Sequence, residues 1–289
     1  MGYALGVAPE RAPNVVERYF AAENSLLRRV RPTWWGAVVT DERFPDIYDL
    51  NYARVDAALS DLALDDVLSD LIPAVVEAGS RHIQIGVLQP EGTARLLEEA
   101  RRAGLRVSWD TVMELREPAD GAPAIAGGSA EDVEEADTRT AEFWEAHGRG
   151  LQAFEVMAPE VVEQLQRWAR EILIPAGRRY FAVRRDGEIA GHGALQVRAG
   201  IAYIDDVVTF HPHRRQGIAS AVVRRMVREA RRSGAEATFL LADQEDPIRL
   251  YRSLGFSETG RVASALGPLP PDRAGSQPTG RPAARSGSG

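Results

Sequence analysis

The period of the apolar residues changes several times along this chain, and each change predicts an element. Ile201 to Phe210 is dense in β-branched and aromatic residues and predicts a strand, whereas Ile218, Val222, Val223, Met226, Val227 and Ala230 recur at helical spacing. The intervening HPHRRQG must therefore reverse the chain. Upstream, RYFAVRRDGEIAGHGALQV predicts a hairpin turning at Asp186-Gly187, preceded by helical signals at Ala130 to His147 and Pro159 to Ile174. Nearer the start, a Leu/Val-rich helix around Asp65 to Ala78 is followed by three further elements. These are a strand in HIQIGVL, a helix from Thr93 to Gly104 closed by glycine, and a strand in LRVSWDTVMEL. The same order of parts thus occurs twice, the first copy worn.

The second copy carries chemistry in its turn. Gly217 and Ala219 put little side chain over the first turn of the predicted helix, so a ligand can reach the N–H groups that a helix start leaves unpaired. Those donors and the positive end of the helix dipole suit a pyrophosphate, and Arg214 and Arg215 add charge. An ordinary βα turn with a solvated basic face is the other reading of so short a signal. Neither the P-loop pattern nor the dinucleotide fingerprint G-x-G-x-x-G is present. Further on, Asp246-Pro247 predicts an N-cap with proline at the first helical position, and Gly255 a C′ residue.

Arg214-Arg215-Gln216-Gly217-Ile218-Ala219 fits the pattern Arg/Gln-x-x-Gly-x-Gly/Ala, and Leu250 to Phe256 reads L-Y-x-x-L-G-F. With both motifs between the expected elements, roughly Tyr180 to Leu266 resembles the GNAT superfamily of acyl-CoA-dependent N-acyltransferases. The resemblance implies an α/β (α+β) fold, with a mixed, mostly antiparallel central sheet flanked by helices, in two tandem GNAT-like domains. It also implies acetyl-CoA as co-substrate. The amides of Arg215, Gln216, Gly217, Ile218, Ala219 and Ser220 would hold its pyrophosphate, with Arg214 beside them. Val207, Val208 and Thr209 would pair with the pantetheine arm, the Val207 amide polarising the thioester carbonyl. Tyr251 stands where the family places the acid that protonates the departing thiolate, and a phenol suits that task because its pKa of about 10 exceeds a thiol's. Gln244 departs from the asparagine frequent at its position, which puts a hydrogen bond to the CoA arm in doubt.

A base must take the acceptor's proton. Asp205 and Asp206 are consecutive on a strand and so are expected on opposite faces, Asp205 sharing its face with Tyr203. Asp205 is the first candidate and Asp206 the second, and pairing with arginines is the competing role for both. Tyr251 has a competing role as a core aromatic. His211 and His213 lie in the turn, as phosphate neighbours or surface residues.

Composition narrows the remaining choices. Among 289 residues there is no cysteine, so thiol nucleophiles and Cys-ligated zinc are excluded, and no metal site is expected. The net charge of −7 argues against indiscriminate nucleic-acid binding, although all 35 basic residues are arginine. Arg224, Arg225, Arg228, Arg231 and Arg232 on the helix after the turn are a solvated face or, in part, a contact for the 3′-phosphate of CoA. No apolar run is long enough for a bilayer and no signal-peptide pattern opens the sequence, so no membrane partner and a cytoplasmic location are expected. The expected organisation is a degenerate GNAT-like domain over 1–117, a Pro/Gly/Ala linker over 118–130, a catalytic domain over 131–266 and a disordered tail over 267–289. Trp34-Trp35 and the stretch Phe44 to Tyr48 are core or the lining of an acceptor cleft. The expected activity is transfer of an acetyl group to a primary amine of a small molecule or peptide, with a homodimer left open. The alternative is a non-catalytic acyl-CoA-binding module.

Overall fold

The computed structural model describes residues 14–116, 132–154 and 157–270. The expected linker 118–130 and the tail beyond residue 270 lie outside them. The first half comprises α1 (Val15–Glu23), β1 (Arg29–Thr33), β2 (Gly36–Thr40), β3 (Tyr52–Val55), α2 (Leu64–Glu77), β4 (His82–Val87), α3 (Ala94–Arg102) and β5 (Arg106–Arg116). The second comprises β6 (Val133–Glu135), α4 (Ala141–Phe154), α5 (Pro159–Trp168), which continues as a π-helical turn over Ala169–Leu173, β7 (Arg179–Arg185) and β8 (Glu188–Arg198). It ends with β9 (Ile201–Thr209), α6 (Ile218–Arg232), β10 (Ala237–Ala242), α7 (Glu245–Ser253) and β11 (Ser257–Pro268).

All the strands join one 11-stranded sheet in the order β1-β2-β3-β4-β11-β5-β10-β9-β8-β7-β6. Apart from β6 the order is a palindrome, in which β1 to β4 answer β7 to β10 and β5 answers β11. Each half gives away its last strand. β5 pairs antiparallel with β10 of the second half, β11 with β4 of the first, and β5 and β11 pair with each other at the centre. Only β3/β4 and β9/β10 are parallel, so the sheet is mixed and mostly antiparallel.

Side-chain alternation assigns the layers. On β5, Val107, Trp109, Met113 and Leu115 point to one face, the back, where they join α2, α3, α6 and α7 in two apolar clusters. Val112 points to the front, where α1 packs through Val16 and Tyr19 onto Ile201, Phe239 and Val262. The front is also covered by α4, through Phe143 and Ala146. Leu165 and Trp168 of α5 close on Phe44, Ile47 and Leu50 of the first half, which makes that aromatic stretch core. Trp35 is fully buried, whereas Trp34 is exposed.

The hairpin turn forms as expected, with Asp186 at φ 53° and Gly187 at φ 86°. The helix predicted from Ala130 begins only at Ala141. Val133–Glu135 pairs with β7 instead, and the Thr140 hydroxyl accepts from the Phe143 N–H at the helix entrance. Asp246 is not an N-cap, because α7 starts two residues earlier than expected, at Glu245 behind Gln244, and Asp246 pairs with Arg249 inside the helix. β11 runs on through Gly267 and Pro268, two residues into the segment whose composition suggests disorder, because their partners Ile83 and His82 extend the ladder. Among the described residues, no helix is long and apolar enough to cross a membrane.

Candidate functional site

β9 and β10 run parallel but pair only from Ile201/Ala237 to Tyr203/Phe239. Beyond that point β9 continues for six residues and β10 for three without pairing, so the sheet is open along this seam. At the mouth of the opening Tyr203 stacks on Phe239 with centroids 4.7 Å apart. A bulge on β9 widens the departure. Ala194 pairs with Asp205 and His192 with Val208, so Asp206 and Val207 together oppose Gly193. Asp206 takes φ 52°, a conformation that costs a side-chain-bearing residue energy and is held here by its partners. Gly191 and Gly193 are required opposite this stretch. A Cβ on Gly191 would lie 2.6 Å from the Val208 carbonyl oxygen, and one on Gly193 2.7 Å from Met226.

The bulge corrects the expected placement of the two aspartates. They do not face apart, since both carboxylates reach the buried Arg178 guanidinium, Asp205 at 2.9 Å and Asp206 at 2.5 Å. Their ionisation is split in consequence. Asp205 is raised above the ordinary carboxylate value by burial and by the charge of Asp206, against the pull of Arg178. For Asp206 burial also opposes ionisation, but Arg178 and His147 outweigh it and hold the carboxyl well below the usual range. Asp206 is thus the fixed anion and Asp205 the group able to take a proton.

Tyr251 lies on the other side of the open seam. It is 8% exposed within the back-face cluster, its pKa pushed up to about 12 by burial and by the charge of Asp205. The competing role as a core aromatic is also fulfilled, because Tyr251 packs beside Phe256. The helix bearing it ends in a Schellman motif: Gly255 N–H donates to Arg252 and Phe256 N–H to Tyr251, with Gly255 at φ 92°.

The turn ahead of α6 leads a helix start into solvent. Arg215 and Gly217 take φ 64° and 79°, Gly217 is exposed with nothing within 4 Å of a Cβ built on it, and the first turn of α6 contains no acid. Ile218 anchors the helix in the core, while Ala219 and Ser220 are half-buried. Such a cradle fits a pyrophosphate. Arg214 and Gln216 are turned differently, the Arg214 Nε donating to the Thr209 carbonyl at 3.1 Å and the Gln216 amide to Pro212. They brace the turn. Val208 is buried, Thr209 pairs with Gly191, and Gln244 caps α7 through its backbone only. On α6, Arg225 and Arg232 pair with Glu229.

Several front-face residues carried no signal in the sequence. His147 and His192 stack with centroids 6.0 Å apart, both nearly inaccessible, and His147 Nε2 lies 3.8 Å from Asp206. Burial lowers His192 to about 4. The Tyr19 hydroxyl donates to Gln196 at 3.1 Å, and the Tyr180 hydroxyl accepts from Arg178 at 3.2 Å. No periodicity or motif marks any of them, because their meeting depends on β7, β8, α1 and α4 converging over β9.

The site is thus a mixed sheet opened between two parallel strands, with a helix start at one end and a tyrosine and a carboxylate on either side. Residues 137–256 match the model of the Acetyltransferase (GNAT) family, and the chain carries a domain of that family. The whole fold recurs in solved structures at low identity. A functionally unknown conserved protein from Staphylococcus epidermidis is 12% identical, over 80% of this chain and 89% of its own, with a TM-score of 0.60. A GCN5-related N-acetyltransferase from Kribbella flavida is 17% identical over 85% and 93%, with a TM-score of 0.54. A tandem GNAT protein from the clavulanic acid biosynthesis pathway is 16% identical over 76% of each chain, with a TM-score of 0.50. No curated protein matches by sequence.

Proposed function

We propose that the protein is an N-acetyltransferase that moves an acetyl group from acetyl-CoA to a primary amine by direct attack. The observation that carries this reading is the unpaired seam between β9 and β10, with the bare start of α6 at its outer end, Tyr251 behind it and Asp205 in front. Acetyl-CoA, when bound, supplies the activated acyl group as a thioester. The N–H groups of residues 217–220 and the helix dipole hold its pyrophosphate, and the bulged strand Val207–Thr209 presents backbone groups to its arm. The acceptor arrives on the front face, where Asp205 takes the ammonium proton directly or through water. The amine forms the C–N bond as the C–S bond breaks, and the Tyr251 hydroxyl delivers a proton to the sulfur. Raised Tyr251 stays protonated at neutral pH, as a donor must, and raised Asp205 is a stronger base than an exposed carboxylate.

Thermal unfolding with and without acetyl-CoA tests the cofactor and its cradle together. At about 100 times its dissociation constant a ligand stabilises by about 2.7 kcal/mol, so the wild type should melt several degrees higher. Gly217→Glu should lose that shift; its own starting Tm is compared separately, because Gly217 has a positive φ. No shift in the wild type would remove the assignment. A shift without CoA release against a broad panel of amines would favour the non-catalytic acyl-CoA-binding module.

A further inference from the structure

The front face between the two halves holds a second group of carboxylates that the proposed reaction does not use. Glu23 ends α1, and Asp49 lies in a single 3-10 turn, Tyr48–Leu50, ahead of β3. Both act electrostatically on each other and on Asp205, and Asp49 also feels Asp110 of β5. Tyr52 of β3 feels Glu23 and Asp49. Three cations face the group, and Arg54, beside Tyr52, is bound to Asp56 and Asn24. Arg178 is committed to Asp205 and Asp206, and Arg198 donates to the Ala176 carbonyl at 2.9 Å. Neither Glu23 nor Asp49 has an ion pair within 4 Å among the described residues.

An independent observation shows what is missing. On β4, Ile83, Ile85 and Val87 enter the back-face core, so Gln84 and Gly86 face front. A Cβ on Gly86 would lie 3.5 Å from the Tyr52 ring, which puts Gln84 at the same wall as Tyr52. Gln84 is 9% exposed, and its Oε1 is buried without a hydrogen-bond partner. A buried carbonyl oxygen without a donor is costly to keep and favours a ligand that supplies one. Acceptors outnumber free donors on this face: Gln84 Oε1, Glu23, Asp49, Asp110 and Asp205 stand against the unpartnered N–H of Arg198 Nε. The complement of such a set is a ligand made of cationic N–H donors.

We propose that the chamber between the halves receives an acceptor with at least two ammonium groups, a di- or polyamine, one held by Glu23, Asp49 and Gln84 while another is presented to Asp205. This rests on reading the Asp205 site as that of an acetyltransferase. The first half then sets specificity for chemistry performed by the second. The protein crowded around them and the neighbouring carboxylates raise half-buried Glu23 to about 7, and raise Asp49, which is open to solvent, in the same direction. Cation binding should restore their ionisation and release protons near pH 7.

Spermidine and n-butylamine are titrated into the full chain by calorimetry at pH 7, in two buffers of different ionisation enthalpy, alongside Glu23→Gln/Asp49→Asn. The expected result is spermidine binding at least about tenfold tighter than butylamine, on the order of one well-placed charge pair. Protons should be released on binding, and both the preference and the release should be lost in the double variant. That variant should keep its acetyl-CoA melting shift and melt no lower than wild type, since it removes two groups that resist ionisation. Equal affinity for the two amines, or spermidine binding unchanged in a variant that keeps the acetyl-CoA shift, overturns the proposal. CoA release with butylamine as readily as with spermidine leaves the acetyltransferase standing and removes the polyamine chamber. Spermidine held through Glu23 and Asp49 without CoA release supports the chamber and removes the acetyltransferase.

Discussion

The two halves place a helix start at the same point of the same topology and treat it in opposite ways. At α2 the Leu64 N–H donates to the Glu99 carboxylate at 2.8 Å, the Ala63 N–H to Asp66 at 3.1 Å, and Asp65 and Asp66 fill the first turn. The helix dipole is answered by the chain's own carboxylates. At α6 the first turn has no acid and opens on Gly217. The seams differ too. β3 and β4 pair to their ends at Val55 and Val87, and the Leu88 N–H extends the contact to the Val55 carbonyl, whereas β9 and β10 part after three pairs. The second helices end alike, with Leu105 N–H donating to the Ala100 carbonyl as Phe256 N–H does to Tyr251. Alanine thus stands where the second half has tyrosine. One framework either closes on itself or stays open, according to a few residues at a helix start, a strand seam and a helix end.

Removing the phenol should make the second half resemble the first most completely. Tyr251→Phe is expected to lower kcat about 10³-fold, within the range for general acids, with acetyl-CoA affinity nearly intact by titration. Comparable losses of kcat and affinity would mean that Tyr251 supports the fold and not the proton transfer. Copying the first turn of α2 into α6 with Ala219→Asp/Ser220→Asp should weaken acetyl-CoA binding by about 100-fold through like-charge repulsion. The unliganded protein should melt no lower, because acids favour a helix N-terminus. An unchanged affinity would show that the pyrophosphate lies elsewhere.

The bulge and its ion pairs have no counterpart in the short β3. Asp206→Asn should cost about 3 kcal/mol in chemical denaturation, the low end for a broken buried pair because Asp205 still meets Arg178. A smaller asymmetry concerns pH. β8 buries His192 where β2 is lined by Ala37, Val38 and Val39. The folded pKa of about 4 lies below the ordinary 6.5, so the unfolded chain binds the extra proton and stability is lost as pH falls from 6.5 towards 4. Between pH 7 and pH 5 the stability of wild type should fall by roughly 2 kcal/mol relative to His192→Gln. A constant difference in denaturation midpoint across that range would show that His192 is hydrated.

Much of the frame was legible in the chain. The helices α2, α3 and α6, the strand β4, the Asp186-Gly187 hairpin and the cradle at Gly217 follow from period and turn chemistry, which act over a few residues. The alternation rule failed at Asp205 and Asp206, because a bulge set by Gly193 and Arg178 cancels it. Asp246 was misread because α7 starts one residue before the Asp-Pro signal. Sequence by itself therefore determined the elements, the family resemblance and the position of the exposed glycine turn ahead of α6. Tertiary structure alone decided the exchange of β5 and β11, the opening of one parallel seam and not the other, and the gathering of Glu23, Asp49 and Asp205 within electrostatic reach of one another. Those depend on pairings between residues far apart in the chain, whose register is fixed by which side chains the completed sheet can bury.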